Sequence, residues 1–140
     1  MRKAALLYNP QSGRRRKHRV HDIKAATAVF RQAGIGVLAE PTRSPSEAAS
    51  QVRHLISEGC DSIIACGGDG TVHDILQGLA GEQTALGIIP LGTANAMAHD
   101  LRLPRNPVAA AKSLLTAVPF RVAVGKIEYK DLDGAPTSRY

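Results

Sequence analysis

The run Ser62-Ile63-Ile64-Ala65-Cys66 passes without a break into Gly67-Gly68-Asp69-Gly70-Thr71. A short apolar segment of this kind, closed by a double glycine, reads as a strand covered on both faces, as in a parallel sheet. Glycines at the carboxyl end of such a strand let the chain turn sharply into the next helix. This one feature directs the chain toward a layered α/β fold.

The rest of the sequence repeats the pattern. Ala4–Tyr8 is apolar and ends at Asn9-Pro10, with Gly13 soon after, which predicts a buried strand running into a loop. Val20, Ile23, Ala26, Phe30 and Ala33 recur at spacings of three and four and predict one inward helix face, stopped by Gly34. Val37-Leu38-Ala39 reads as a second strand. Ser44-Pro45-Ser46-Glu47 is a capping box with proline at the first helical position, ahead of an inward face of Ala48, Val52, Leu55 and Ile56 and a stop at Gly59. A third helix through Ile75, Leu76 and Leu79 follows the glycine loop, and Leu86–Ile89 is the next strand. Pro90-Leu91-Gly92-Thr93 is then a loop, a short helix starts near Asn95, and Asn106-Pro107 caps a further helix. The fold expected is a Rossmann-like, doubly wound, mostly parallel sheet with helices on both faces. After Pro119 the pattern changes: Val122, Val124, Ile127 and Tyr129 read as extended chain and Asp133-Gly134 as a hairpin turn. Residues 1–118 are therefore expected to form one α/β domain, and residues 119–140 the truncated start of a β-rich one.

Composition narrows the function classes. The chain has 140 residues, 44% of them apolar, which suffices for a core without staples. No stretch approaches the roughly 18 consecutive apolar residues that span a bilayer. Asn9-Pro10 interrupts the N-terminal apolar run too early for a signal peptide. Two cysteines, Cys60 and Cys66, form neither a disulfide framework nor a zinc pattern. The expectation is a reduced, cytosolic protein. Its net charge of +6 is localised: residues 1–31 carry nine basic groups and one acidic one, a balance of +8, and the remainder balances at −2. The excess is the cluster Arg14-Arg15-Arg16-Lys17-His18-Arg19. It suits either a polyanion, such as an anionic membrane surface met peripherally, or simply a solvated helix start. Two Phe, three Tyr and no Trp offer no base-stacking platform, so nucleic acid is not expected.

Three loops fall beyond strand ends, where open parallel sheets bind ligands: Asn9–Gly13, Gly67–Thr71 and Pro90–Asn95. Their glycines allow backbone N–H groups to approach a phosphate, and the helix start that follows favours its charge. The sequence contains no Walker loop. It also lacks the dinucleotide fingerprint, because His73 stands three residues after Gly70. Asp69 among phosphate-binding amides would repel the ligand unless it served a metal or a proton, or only held the turn through its own backbone.

Taken together, Asn9-Pro10-x-Ser12-Gly13, Gly67-Gly68-Asp69-Gly70-Thr71 and Gly92-Thr93-x-Asn95 resemble the catalytic domain of the diacylglycerol kinase and sphingosine kinase superfamily, in its bacterial lipid kinase branch. The resemblance implies ATP as phosphoryl donor, Mg²⁺ as its metal, and a lipid alcohol as acceptor. It implies that Asn9 and Ser12 lie by the nucleotide, that Thr42 contacts phosphate, and that Gly67, Gly68, Gly70 and Thr71 form the main phosphate loop. Gly92, Thr93 and Asn95 match the third loop, and Asp69 the aspartate proposed as base or metal organiser. The metal ligands are not assigned, because Ala96 and Ala123 stand where bacterial relatives usually carry aspartates. His73-Asp74 replaces a commoner Asn-Glu pair and, with Asn95-Ala96, is similar to sphingosine kinases. Two other readings stay open: an NAD or other small-molecule kinase of the same superfamily, and a non-catalytic module for nucleotide or for anionic membrane through Arg14, Arg15, Arg16, Lys17 and Arg19. On the two-domain expectation the chain alone is inactive as a lipid kinase.

Overall fold

The structure is a computed structural model that describes residues 1–10 and 18–140. Ser12, Gly13 and the cations Arg14, Arg15, Arg16 and Lys17 lie outside the described residues.

Four strands form a parallel sheet: β1 (Lys3–Tyr8), β2 (Gly36–Pro41), β3 (Ser62–Gly67) and β4 (Ala85–Pro90). Their spatial order is β2-β1-β3-β4. The connecting helices are α1 (Arg19–Gln32), α2 (Ala48–Ser57) and α3 (Asp69–Leu79), followed by α4 (Ala96–Asp100) and α5 (Pro107–Thr116). Two apolar layers result. Ala5, Leu7, Ile63 and Ala65 point toward Val52, Leu55, Val72 and Ile75 of α2 and α3. Ala4, Leu6, Ile64 and Cys66 point to the other face, toward Ile23, Ala26 and Phe30 of α1 and Ala110 and Ala111 of α5. The strict alternation along β1 and β3 sends successive side chains to opposite layers, which is why Ala4–Leu7 and Ile63–Cys66 are apolar at every position. Each fully buried Leu or Ile contributes about 1.5–3 kcal/mol by leaving water. The doubly wound α/β fold expected from the sequence is the fold observed.

Helix boundaries follow local chemistry. Asn106 Oδ1 accepts from the backbone N–H groups of Val108 and Ala109, both at 3.0 Å, with Pro107 at the first helical position. At the start of α2 the Ser44 hydroxyl donates to Glu47 Oε2 at 2.6 Å, and Pro45–Glu47 forms a turn leading into Ala48. Glu47 has its pKa lowered by that hydrogen bond. Gly34, Gly59 and Gly81 follow helix ends at positive φ, the conformation that an L side chain resists.

Ile23, Ala26 and Phe30 face inward from α1 as expected, and the two ends of the expected face differ. Val20 is 57% exposed and Ala33 lies outside the helix, also exposed. The inward stripe begins at Arg19, four residues before Ile23, and includes Asp22 and Thr27. An apolar pattern does not include an arginine, and Val20 beside it takes the outward position.

Beyond α5, a two-stranded antiparallel sheet pairs β5 (Ile127–Lys130) with β6 (Pro136–Arg139). Gly134 at φ +80° closes the hairpin, as the Asp133-Gly134 signal implied. Asp131 fixes the turn, its Oδ1 accepting from the N–H groups of Asp133 and Ala135. Val122 and Val124 precede the strand rather than belonging to it. The Gln77 side chain, on α3, donates to the Tyr140 carbonyl at 2.9 Å and accepts from the Tyr140 N–H at 3.0 Å.

Candidate functional site

The strand order places β2 on one side of β1, and β3 then β4 on the other. The order in which strands are added therefore reverses between β1 and β3, and the loops leaving these two strands lead to helices on opposite faces. Such a switch point opens a crevice at the carboxyl ends of the strands. Asn9 follows β1 there, half-buried, and Gly67 and Gly68 end β3 beside it.

The second and third loops are locked together. The Gly67 carbonyl accepts from Leu91 N at 2.8 Å and from Gly92 N at 3.1 Å. Gly68 and Gly92 then meet backbone to backbone: a Cβ on Gly68 would lie 3.1 Å from Gly92 Cα, and one on Gly92 would overlap Gly68 Cα. Asn95 shapes the third loop from within, at φ 55° and ψ 47°, accepting from Gly92 N at 2.8 Å and donating to Gly92 O at 3.0 Å. Asn is one of the few non-glycine residues that tolerate this left-handed conformation.

Gly68 caps α3 in extended conformation and contributes no side-chain cap. The N–H groups of the first turn accordingly keep their capacity to bind an anion, and the positive end of the helix dipole points the same way. Thr71 turns inward, buried, and a Cβ on Gly67 would overlap its side chain. Gly70 differs from its neighbours. A Cβ there would meet nothing within 4 Å, and its φ is not positive. Asp69, the first residue of α3, accepts from Met97 N at 3.3 Å and so ties α3 to α4. Thr93 is exposed on the third loop, and Ala96, its side chain unable to ligate anything, opens α4.

Thr42 stands after β2, its N–H donating to the Tyr8 carbonyl at 2.9 Å, next to Asn9. Of the residues singled out in the sequence, Gly67, Gly68, Asp69, Gly92 and Asn95 are brought together where the second and third loops meet. Asn9 and Thr42 line the neighbouring strand ends, Gly70 and Thr93 face outward, and Ser12 is outside the described residues. His73 sits beside Asp74 on α3, 3.7 Å from its carboxylate. Among the described residues, no three His, Cys, Asp or Glu side chains cluster to hold a metal ion, and Asp69 is the carboxylate at the contact between loops.

Two supporting side chains had no signature in the sequence. Gln51 is 3% exposed; its Nε2 donates to Pro41 O and Glu40 Oε2, and its Oε1 accepts from Arg43 N, so it braces the loop that carries Thr42. Arg19 is 2% exposed and donates to the Leu91 carbonyl at 2.7 Å. This corrects its assignment to the membrane-facing cluster: it is turned into the core, away from any surface. Burial lowers its pKa, opposed by Asp22 one turn on. Cys66, on the same strand end, is fully buried, and burial pushes its thiol well above the ordinary range.

The chain is similar to known proteins. The diacylglycerol kinase catalytic domain model matches residues 3–127. A diacylglycerol kinase from Bacillus subtilis (strain 168) is 33% identical over 132 residues, covering 91% of this chain and 42% of that protein. One from Staphylococcus saprophyticus is 30% identical, with 90% and 41% covered. The solved structure of a diacylglycerol kinase from Bacillus anthracis str. Sterne superposes with a TM-score of 0.67 at 31% identity, over 80% of this chain and 38% of the other. The chain thus spans about two fifths of the length of these relatives. With the match extending from the first strand to the start of β5, through every loop of the crevice, the chain belongs to the diacylglycerol kinase catalytic domain family.

Proposed function

We propose that this chain is the ATP-binding part of a lipid kinase, which transfers the γ-phosphoryl group of ATP to a lipid hydroxyl of the diacylglycerol or sphingoid-base type. The observation that carries the reading is the open start of α3 at the sheet's switch point: a glycine cap without a side chain, and a Gly70 whose Cβ position has no described residue within 4 Å. A phosphate fits there because amides and dipole favour it. Asn9, Thr42, Thr71, Thr93 and Asn95 belong to the walls or supports of that nucleotide site.

Phosphoryl transfer relies on positioning and on charge stabilisation. In this reading Asp69 accepts the proton of the acceptor hydroxyl, its carboxylate standing at the edge of the phosphate loop. Mg²⁺ takes about six oxygen ligands, usually several of them water or phosphate. The described residues place only the Asp69 carboxylate at the loop contact, and Ala96 adds none, so they do not by themselves make a Mg²⁺ site. No step is assigned to the metal. Residues 1–118 form the nucleotide unit in this proposal and residues 119–140 belong to a β-rich second unit. Arg14, Arg15, Arg16 and Lys17, without Arg19, remain the proposed contact with anionic lipid.

The test is a transfer assay on the full-length protein with ATP and Mg²⁺ against diacylglycerol, a sphingoid base and NAD. Phosphorylation of either lipid supports the reading. Transfer to NAD alone replaces it with a small-molecule kinase, and ATP binding without transfer to any acceptor makes the chain a binding module.

A further inference from the structure

We infer that Arg19 is a positioning residue that couples the start of α1 to the third loop and, through it, to the loop that opens α3. The inference rests on the nucleotide reading above and assigns to its site a residue from the opposite layer of the fold.

Arg19 is the first residue of α1. Its guanidinium crosses to the loop after β4 and donates through Nη2 to the Leu91 carbonyl, a short charge-assisted bond. The same residue, Leu91, donates its own N–H to the Gly67 carbonyl. Leu91 is thereby held at both ends, by Arg19 from α1 and by Gly67 from β3. Gly92, the next residue, packs on Gly68. A continuous path of contacts then runs from α1 through Leu91 to the loop that opens α3, across the switch point.

Placing a guanidinium in the core is costly, since charge loses its hydration there. An apolar side chain would fill the same volume near Cys66 without that penalty, but could not hold a carbonyl. Asp22, also buried, supplies opposite charge one turn along α1. The hydrogen bond to the Leu91 carbonyl is a contact that an apolar residue at this position could not make. If its anchor is lost, the third loop can shift relative to Gly67 and Gly68 while the two apolar layers remain intact.

The test compares wild type, Arg19→Met and Arg19→Lys in the full-length protein by amide hydrogen exchange and ATP titration. Arg19→Met should accelerate exchange at the Leu91 and Gly92 amides by about tenfold or more, leave the α2 amides unchanged, and weaken ATP binding by about tenfold, as for a lost bond to a charged donor. Arg19→Lys, which keeps a donor, should recover most of both. Unchanged exchange at Leu91 and Gly92 in folded Arg19→Met overturns the inference. Should the methionine variant fail to fold, ATP added to wild type decides instead: protection must appear together at Leu91, Gly92 and the first turn of α1, and protection confined to Gly67–Thr71 overturns the coupling. A wild-type protein that binds no ATP removes the nucleotide reading, and the exchange difference between wild type and the lysine and methionine variants then judges the coupling by itself.

Discussion

Gly68 and Gly92 touch backbone to backbone, so closely that a Cβ on Gly92 would overlap Gly68 Cα and stand 2.8 Å from Asn95 Oδ1. Two loops well separated along the chain are thus joined where Gly92 has no room for a side chain and Gly68 has little. Gly92→Ala should destabilise the fold by about 1–3 kcal/mol, the usual effect of overpacking. Urea unfolding checks this, with the midpoint lowered and the slope unchanged.

Gln51 braces the strand end that carries Thr42 through three hydrogen bonds, one accepted from Arg43 N. Gln51→Ala removes that partner from the Arg43 N–H and the Pro41 carbonyl, both part-buried at this contact, and should cost about 1–3 kcal/mol. Hydrogen exchange at Arg43 should accelerate more than exchange in β3.

Much of this architecture is legible in the sequence. The apolar runs of β1 and β3 and the glycines that end them define both the sheet and the place where its loops meet. The Asn106-Pro107 cap and the Asp133-Gly134 turn are local signals, and the structure realises both. What escapes a reading of periodicity is the polar interior. Arg19 and Gln51 are types that usually face solvent, and the carbonyls they hold lie 72 and 10 residues away along the chain. Only the fold brings donor and acceptor together. The displacement of Val20 to the surface has the same origin, because Arg19 takes the inward position that an apolar pattern assigns to its neighbour. The glycines at 68 and 92 are visible in two separate motifs, but their mutual contact depends on the pairing of β3 with β4.

Stability should depend on pH through Asp61, which ties the start of β1 to that of β3. Burial raises its pKa, but bonds from the Arg2 N–H at 2.7 Å and the Ser62 hydroxyl at 3.0 Å outweigh this, and the net pKa is lowered. A depressed carboxylate adds stability above its unfolded pKa, near 3.8, and loses it as pH falls through the lower folded value. Asp61→Asn should remove that part of the acid-side slope. Urea midpoints of both proteins from pH 6 down to about 3 check the sign.

Asp69 is expected to matter for turnover rather than for folding. Its contact with Met97 N needs only an oxygen acceptor, which Asn also supplies. Asn cannot take up a proton, so Asp69→Asn in the full-length protein should lower phosphoryl transfer by about 10²-fold or more, with little change in melting temperature. Near-normal transfer would remove Asp69 from the chemistry.

The central claim is that the start of α3 binds nucleotide phosphates, and Gly70 tests it most directly. A Cβ there would meet none of the described residues within 4 Å, so a side chain can be added without a clash at its first atom. Gly70→Val should leave stability within about 0.5 kcal/mol of wild type, since valine is no worse than glycine inside a helix. Calorimetric titration with ATP and Mg²⁺, run beside thermal unfolding, is the measurement. The expected result is an unchanged melting temperature with ATP affinity reduced at least tenfold, a loss of about 1.4 kcal/mol. Wild-type affinity in a fully folded Gly70→Val protein would contradict the account.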